Sequence, residues 1–393
     1  MLKQSFTKES LVKILTSSDV WRWGLVQNYG SIDAAVRYIS EHWKNNGLKI
    51  SELKSTTLKK NNIFNVTRPE DDFAIRLLDR FIRRIYKVRQ SDRTKIVKQV
   101  STLLHDSGDH HIIRLDIKNC FESIKLKALI DKFEDDLILA PECLKLLKAI
   151  NHNLIKNYNT HGLPRGLSIS PTLAELYLET LDKELASNPH IIYSARYVDD
   201  IILFIPSNSE EIVKVAINTI LKKLGLTINT DLEKYYSNPT KNASFDYLGY
   251  SIQVSTQKNK ENRVCISISN SKINKIKHRI VKSLINYKKT KNISLLKQRL
   301  EYLSMLKTVK KGPNGHLLAG IAYNYQLVTD NFESLKTIDG LFLNQIKEAR
   351  FSIPILDRLR IEKISFFSNA KNKKIANFTK NKTSEIMEIW IND

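Results

Sequence analysis

Two adjacent carboxylates, Asp199 and Asp200, interrupt an otherwise largely apolar segment, YVDDIILFI. The apolar residues on both sides predict a β-hairpin that carries the two acids at its tip. Like charges this close repel each other unless a cation lies beside them, and hard oxygen ligands favour Mg²⁺. The pair therefore fits a metal site. An acidic hairpin tip is also common as an exposed turn, and this motif alone leaves both interpretations open.

A third acid, Asp116, ends another apolar segment, HIIRLD, 83 residues before Asp199. If the two segments form neighbouring strands, three carboxylates meet at one edge of a sheet. Such a cluster can hold two Mg²⁺ ions about 3.5–4 Å apart, which suits in-line displacement at phosphorus. One ion activates the attacking hydroxyl and the other stabilises the leaving pyrophosphate, so the acids together point to nucleotidyl transfer.

A glycine-containing loop leads into a helix between these two acidic segments. It reads HGLPRGLSIS and contains Gly162, Pro164, Arg165 and Gly166, and Ser170 is predicted to cap the helix. Glycines let the backbone approach a ligand closely, and a helix N-terminus attracts an anion. Because every helix needs an entry loop, this loop is informative only through its place between the acids.

The elements that must position these residues predict an α+β fold. Residues 1–62 have helical periodicity, with Thr7 as the candidate cap of one helix and Ser31 or Asp33 as that of the next, and a basic amphipathic helical pattern follows. Between residues 110 and 255 the order is strand, helix, hairpin, helix, strand, which predicts a sheet with helices on one face. The chain after residue 257 begins with a strand and continues as basic helices.

The charge of the chain indicates a polyanionic partner. Its 393 residues carry a formal charge of +22, and residues 258–393 hold 27 lysines and arginines against 11 aspartates and glutamates. Nucleic acid is the partner that rewards many spaced cations; the alternative is a solvated lysine-rich surface. The three cysteines lack metal-ligand spacing, the N-terminus is polar, and no segment approaches the roughly 18 apolar residues of a membrane span. We therefore expect a cytoplasmic protein without a membrane partner.

The order of the motifs resembles the successive palm motifs of reverse transcriptases. Asp116 is followed by Phe121 and then by GLPRGLSISP, YVDD, LGLTINTDLEKYYSN and FDYLGYSI. The YVDD form favours a reverse transcriptase over the Gly-Asp-Asp of many RNA-dependent RNA polymerases. The resemblance implies a right-hand polymerase fold, with a helical extension at residues 1–62, fingers and palm at 63–256, and a basic helical thumb or RNA-binding region at 257–393.

The resemblance also implies a set of metal ligands. Asp116 and Asp199 are expected to be the principal Mg²⁺ ligands, Asp200 to complete the acidic cluster, and Ile117 to offer its backbone carbonyl. Two Mg²⁺ ions are expected, with Mn²⁺ as a substitute. The implied reaction is DNA synthesis from dNTPs on an RNA template.

Three further features match positions around the nucleotide. Phe121 matches the bulky residue that excludes ribonucleotides by its volume, although packing in the core is an equal alternative. The loop from Gly162 to Gly166 matches the segment that lies against the incoming nucleotide and template, and Arg165 stands where many relatives have glutamine. Lys234 matches a lysine near the leaving pyrophosphate, unless it is simply an exposed lysine.

The fingers and the primer end are matched less closely. Arg89 and Arg93, in YKVRQSDRTK, are the cations expected to meet the triphosphate, because guanidinium groups bind phosphate in a bidentate manner. The segment FDYLGYSI resembles the hairpin that grips the primer end, with Tyr247 and Gly249 on it. Ordinary strand packing is the alternative for both of these residues.

The subgroup that the chain resembles most is the defence-associated bacterial reverse transcriptases of the unknown groups. The long N-terminal lead and the segments RQSDRTKIVKQV and GIAYNYQLVTD support this resemblance. It implies antiphage DNA synthesis from a non-coding RNA, beside a partner protein of the same locus, and it leaves oligomer formation open. The alternatives are a retron-type or group II intron-type relative, untemplated or protein-primed synthesis by the same fold, and a catalytically idle nucleic-acid-binding protein.

Overall fold

A computed structural model describes residues 3–58, 61–231, 233–256, 261–312 and 315–391. The chain forms two compact units. The first unit contains Met1–Ser91 and His111–Ser237, and the second contains Asp92–His110 and Asn238–Asp393. The predicted division at residues 62 and 256 is a division by function and stays a prediction.

The described helices are distributed over both units. Up to the hairpin that carries the acid pair they are α1 Lys8–Val12, α2 Ser17–Arg22, α3 Leu25–Tyr29, α4 Ile32–Asn46, α5 Pro69–Ile85, α6 Arg93–Leu104, α7 Cys120–Ser123, α8 Leu126–Asp136, α9 Pro141–Tyr158 and α10 Ser170–Ser187. After it they are α11 Glu210–Lys223, α12 Asn270–Thr290, α13 Ile293–Ser304, α14 Ile321–Asn324, α15 Lys336–Lys347, α16 Ile355–Ile361, α17 Phe366–Lys371 and α18 Lys380–Met387.

The described strands form four small sheets. They are β1 Lys54–Leu58, β2 Asn61–Asn65, β3 His110–Asp116, β4 Tyr193–Tyr197, β5 Asp200–Pro206, β6 Tyr236–Pro239, β7 Ser244–Tyr247, β8 Tyr250–Ser255, β9 Arg263–Ile268, β10 Leu306–Gly312, β11 Gly315–Ala319 and β12 Ile375–Ala376. The orders are β1-β2, β4-β5-β3-β6, β7-β8-β9 and β11-β10-β12.

The four-stranded sheet positions the acids that the sequence singles out. Strands β4 and β5 form an antiparallel hairpin in which Tyr197 pairs with Asp200, and β3 lies next to β5. Ile201 and Leu203, two residues apart on β5, share one hydrophobic core with Leu173 and Leu181 of α10. Because alternate residues of a strand point to the same face, this face of β5 belongs to the hydrophobic core that also contains residues of α10. The predicted α+β class is confirmed.

Local signals in the N-terminal residues are partly confirmed. The side chain of Thr7 caps α1 as predicted and accepts a hydrogen bond from the Ser10 N–H. Of the two candidates for α4, Ser31 is the cap and accepts from the Ala34 N–H. The prediction of helices alone for residues 1–62 is incomplete, because β1 and the start of β2 lie in this range. The β-branched threonines of KSTTL favour extended backbone.

The predicted cap of α10 is wrong. The helix begins at Ser170 itself, its N-cap is Ile169, and no side chain caps it. The Ser170 hydroxyl instead donates to the Pro164 carbonyl over 2.6 Å. The entry loop folds back over the start of the helix and places the Pro164 carbonyl beside the Ser170 hydroxyl. The hydroxyl therefore bonds to the loop and does not cap a helical N–H.

The second unit contains the basic helices that the sequence predicts. Strand β9 precedes α12, which buries Ile273, Ile280 and Leu284. Its other face carries lysines, as expected for an amphipathic helix. Within the described ranges, none of the helices combines the length and the apolar character needed to cross a membrane.

Candidate active site

The structure brings the three predicted acids together. Asp116 ends β3, and Asp199 and Asp200 lie where β4 turns into β5. Each can offer a carboxylate oxygen such that these atoms all lie within 4.8 Å of one another. The Ile117 N–H donates to the Asp199 carbonyl over 3.0 Å, so a backbone hydrogen bond joins the end of β3 to the turn.

Burial and mutual repulsion raise the cost of charge in this cluster. Asp116 is only 5% exposed. Burial, followed by the charge of Asp116, raises the pKa of Asp199. Burial, followed by the charge of Asp199, raises the pKa of Asp200 to about 6. The surroundings do not fully balance the negative charge of these oxygen donors. Such a cluster suits a divalent cation such as Mg²⁺. The residues therefore fit the metal that the sequence predicts.

Lys234 and Asn229 both hold the carboxylate of Asp116. Lys234 Nζ lies 3.0 Å from Asp116 Oδ2, and Asn229 Nδ2 donates to Asp116 Oδ1 over 3.2 Å. Burial alone would lower the pKa of Lys234, but the hydrogen bond to Asp116 and its charge raise it. Lys234 was a candidate from its motif, whereas Asn229 was missed. The bridge between Ile117 and Ile228 brings Asn229 to Asp116, and only strand pairing reveals it.

The glycine-containing loop packs directly on the segment that carries Phe121. A Cβ at Gly162 would lie 2.5 Å from the Glu122 carbonyl oxygen, so no larger residue fits there without movement. The Leu163 N–H donates to the Phe121 carbonyl over 2.8 Å. Gly162 thus allows a close approach to the protein's own backbone beside Phe121, and the contact of this loop with the incoming nucleotide stays a prediction.

The other end of the loop is joined to β2. The Phe64 N–H donates to the Arg165 carbonyl over 2.7 Å. Gly166 has φ +99°, and a Cβ there would lie 2.5 Å from the Phe64 carbonyl oxygen. The Pro164 carbonyl accepts from Ser170, as described above. The loop is therefore held by β2, α10 and the Phe121 segment at once, which gives it a defined shape.

Arg165 contacts the ring of Phe121 and forms an ion pair with the neighbouring Glu122. Its guanidinium lies 4.8 Å from the centroid of the Phe121 ring, and Nη2 donates to Glu122 Oε2 over 3.0 Å. Burial would raise the pKa of Glu122, but Arg165 lowers it below its ordinary value. Phe121 is half-buried, and its ring also packs against the core. Glu122 was not a predicted site residue, because its partner lies 43 residues away.

Residues 71–252 match the family model described as "Reverse transcriptase (RNA-dependent DNA polymerase)". The chain carries a reverse transcriptase domain. This domain contains the three acids, Phe121, the loop and Lys234. The predicted polymerase fold and the predicted enzyme class, an RNA-directed DNA polymerase, are confirmed at the level of this domain. No curated protein sequence matches the chain.

Two solved telomerase structures resemble the chain at a distance. The apo telomerase from Candida tropicalis, truncated from the C-terminal domain, has a TM-score of 0.38 at 17% identity, covering 60% of this chain and 58% of that chain. The telomerase from Candida albicans, in complex with a fragment of telomeric RNA, has a TM-score of 0.40 at 12% identity, covering 90% and 60%. The chain thus spans about three-fifths of each. We draw no functional conclusion from similarities this distant.

The two predicted arginines of the reverse transcriptase domain lie in different units. Arg89 is exposed in the segment after α5, in the first unit. Arg93 begins α6 in the second unit, where Nε and Nη2 donate to the Leu248 carbonyl over 2.8 and 2.5 Å and Nη1 donates to the Asn324 carbonyl over 2.6 Å. Contacts with the triphosphate stay predictions for both, and three of the five N–H groups of Arg93 donate to these carbonyls.

The predicted primer hairpin is the β7–β8 turn. Tyr247 is buried, and the turn passes through Leu248 at φ +48° and Gly249 at φ +81°. Arg93 also lies 4.8 Å from the ring centroid of Tyr250, on the far side of this turn. The role of the hairpin in holding a primer stays a prediction, but its conformation is held by an arginine that the sequence assigns elsewhere.

Proposed function

We propose that this protein is a Mg²⁺-dependent reverse transcriptase that copies an RNA template into DNA. The observation that supports this proposal best is the cluster of Asp116, Asp199 and Asp200 at one edge of a sheet in a reverse transcriptase domain. A buried group of like charges is costly, and carboxylates with perturbed pKa values cluster at functional sites. We propose Ile117 as a further ligand through its carbonyl, and Mn²⁺ as a substitute ion.

The side chains around the cluster suggest how the reaction is arranged. Bound Mg²⁺ would supply an activated hydroxyl nucleophile and charge stabilisation at the leaving group. Lys234 holds Asp116 and places a positive charge beside the cluster, where a leaving pyrophosphate would benefit from it. Phe121, held by Arg165, presents a ring that would exclude a ribose 2′-hydroxyl by volume. The loop between Gly162 and Gly166 supplies a fixed backbone against the nucleotide.

The finer assignment is a role in bacterial antiphage defence. It rests on the resemblance to the defence-associated reverse transcriptases and on the surplus of positive charge in residues 258–393. We propose that this region is the thumb and the docking surface for a non-coding RNA, because lysines and arginines set the register of a protein on phosphates. A cytoplasmic location, a partner protein of the same locus and assembly into an oligomer belong to this proposal.

The test compares the wild type with the Asp199→Ala, Asp200→Ala double variant, both purified from the native host. Bound nucleic acid is sequenced as RNA and as DNA. A discrete RNA with complementary DNA that is missing from the variant supports templated synthesis. The Asp135→Asn variant, which changes an exposed carboxylate on α8, is the matched control and should retain the DNA.

Two other outcomes would change the proposal. DNA without a complementary RNA, absent from the double variant, would indicate untemplated or protein-primed synthesis. Identical DNA in both samples would mean that the acids do not catalyse polymerisation, and the protein would then be a nucleic-acid-binding protein on a polymerase scaffold. Protection from phage by the wild type but not by the double variant would test the defence role separately.

A further inference from the structure

A buried arginine lies three residues before Asp199. Arg196 is 5% exposed and lies on β4. Its Nε and Nη2 donate to the two carboxylate oxygens of Asp182 over 2.8 and 2.6 Å, and Nη2 also donates to Glu175 Oε2 over 2.8 Å. Both acids lie on α10, seven residues apart and therefore on one face of the helix. The guanidinium is thus fixed to α10 by a bidentate pair and a second acid.

The remaining contact of this guanidinium reaches the turn that carries Asp199. Arg196 Nη1 donates to the Val198 carbonyl over 2.9 Å. Val198 has φ +60°, a left-handed conformation that a β-branched residue rarely adopts. Tyr197 pairs with Asp200 across the turn. In a two-residue hairpin turn of this kind the first position strongly favours glycine. The structure therefore places a strained residue directly before Asp199 and an arginine on the carbonyl of that residue.

The acids that hold Arg196 belong to α10, the helix that also holds the glycine-containing loop. Ser170, at the start of α10, donates to the Pro164 carbonyl, and Glu175 and Asp182 lie further along the helix. The Val198 turn, through Arg196, and the glycine-containing loop, through Ser170, are therefore both bonded to the same helix. The ammonium of a lysine is a point charge without the planar fork, so it cannot reproduce the contacts to both acids and the carbonyl.

We propose that Arg196 is a positioning residue for the acidic cluster. It holds the Val198 turn in its strained conformation and thereby sets the place of the Asp199 carboxylate relative to Asp116. This inference rests on the proposed polymerase function for its kinetic consequence, but the conformational part concerns this chain alone. The alternative is that Arg196 only joins α10 to β4 and contributes stability without affecting the turn.

The kinetic test uses Arg196→Lys, Val198→Gly and the double variant of both. Misplacing a catalytic group by about 1 Å can cost on the order of 100-fold in rate, so we expect kcat to fall between about 10-fold and 100-fold in Arg196→Lys, with KM for dNTP within about 2-fold. Glycine adopts φ +60° without strain. Val198→Gly in the Arg196→Lys background should therefore recover at least half of the loss on a logarithmic scale, because the turn no longer needs its anchor.

The second readout is hydrogen exchange, which needs no activity. The Ile117 N–H is bonded to the Asp199 carbonyl, so its exchange reports whether the turn keeps its place. We expect faster exchange at Ile117 in Arg196→Lys and recovery in the double variant. Arg83→Lys is the matched control, because Arg83 Nε donates to Thr172 of α10 but lies on α5. It should leave both kcat and the Ile117 exchange as in the wild type.

The outcomes separate this inference from the proposed function. Wild-type exchange at Ile117 in Arg196→Lys would overturn the inference. It would also be overturned if kcat of the double variant fell by the product of the two single effects, because the substitutions would then act independently. Equal DNA synthesis by the wild type and Asp199→Ala would refute the proposed function. In that case the exchange at Ile117 still decides whether Arg196 positions the turn.

Discussion

Asp200 is the acid whose removal should stabilise the metal-free protein. Its pKa of about 6 lies well above the ordinary value of 3.8, through burial first and the charge of Asp199 second. Arg114 offsets this only in part, since its Nη2 is 3.9 Å from Asp200 Oδ1. We predict that Asp200→Asn is more stable than the wild type in EDTA at neutral pH, although it should lose DNA synthesis.

The size of the effect follows from the difference in proton affinity. Each pH unit of difference between the folded and unfolded pKa is worth about 1.4 kcal/mol, which gives an upper value of about 3 kcal/mol. The Asp200 side chain is 25% exposed. Solvent therefore screens part of the repulsion, and we expect a gain of about 1–3 kcal/mol in the free energy of unfolding.

The pH dependence has a definite sign. Between pH 3.8 and about 6 the folded wild type keeps a proton on Asp200 that the unfolded chain releases. The free energy of unfolding should therefore fall as the pH rises through this window, and the full cost should be present above pH 6. The corresponding contribution is absent in Asp200→Asn. The difference between the two proteins should be small near pH 4 and largest above pH 6.

The measurement is urea unfolding in EDTA at pH 4.5, 6 and 7.5, followed by tryptophan fluorescence. Three of the four tryptophans, Trp21, Trp23 and Trp43, lie in the same unit as Asp200, so the signal reports mainly on that unit. Asp135→Asn is the control for loss of a carboxylate. Adding Mg²⁺ should stabilise the wild type more than Asp200→Asn, because a ligand stabilises the state that binds it. A variant as stable as the wild type, or less stable, at pH 7.5 in EDTA would refute the argument.

Three basic side chains outside the acidic cluster give further predictions. Arg165→Gln removes the guanidinium from the Phe121 ring, a contact worth about 1 kcal/mol. The preference for dNTP over rNTP in kcat/KM should therefore fall roughly 5-fold. An unchanged ratio would mean that Phe121 keeps its position without Arg165. Arg93→Lys removes the two hydrogen bonds that Nε and Nη2 donate to the Leu248 carbonyl. KM for the primer–template should therefore rise about 5-fold to 10-fold with KM for dNTP unchanged, whereas the reverse pattern would favour the predicted triphosphate contact. Burial first, and then the charge of Arg279, lowers the pKa of Lys307 from its ordinary 10.5 to about 8. Between these values the unfolded chain binds more protons than the folded one, so the free energy of unfolding should rise by about 1–3 kcal/mol from pH 8 to 10.5. Lys307→Met should flatten this rise in urea unfolding, and an equally steep rise in the variant would assign it to other groups.

Local patterns in the sequence were sufficient to predict the elements that carry the chemistry. The apolar runs around Asp199 and before Asp116 specify two strands, and an acid at the end of each can meet the other only at one sheet edge. Thr7 and Ser31 cap their helices because a cap contact spans only three residues of chain. The order of the motifs added the polymerase fold and the enzyme class, since it depends on sequence alone.

Contacts between distant residues were decided only by the tertiary structure. Lys234 was assigned from its motif, but Asn229 reaches Asp116 across 113 residues of chain through strand pairing. The sequence predicts that Arg93 contacts the triphosphate, whereas in the structure Arg93 donates to the Leu248 carbonyl, 155 residues away. The strain at Val198 is likewise invisible in the letters YVDD, because backbone angles depend on what anchors the turn. Sequence periodicity indicates which face of an element is apolar. The partner of a buried polar group depends instead on how the elements pack together, and at this site packing brings Arg196 to the Val198 turn.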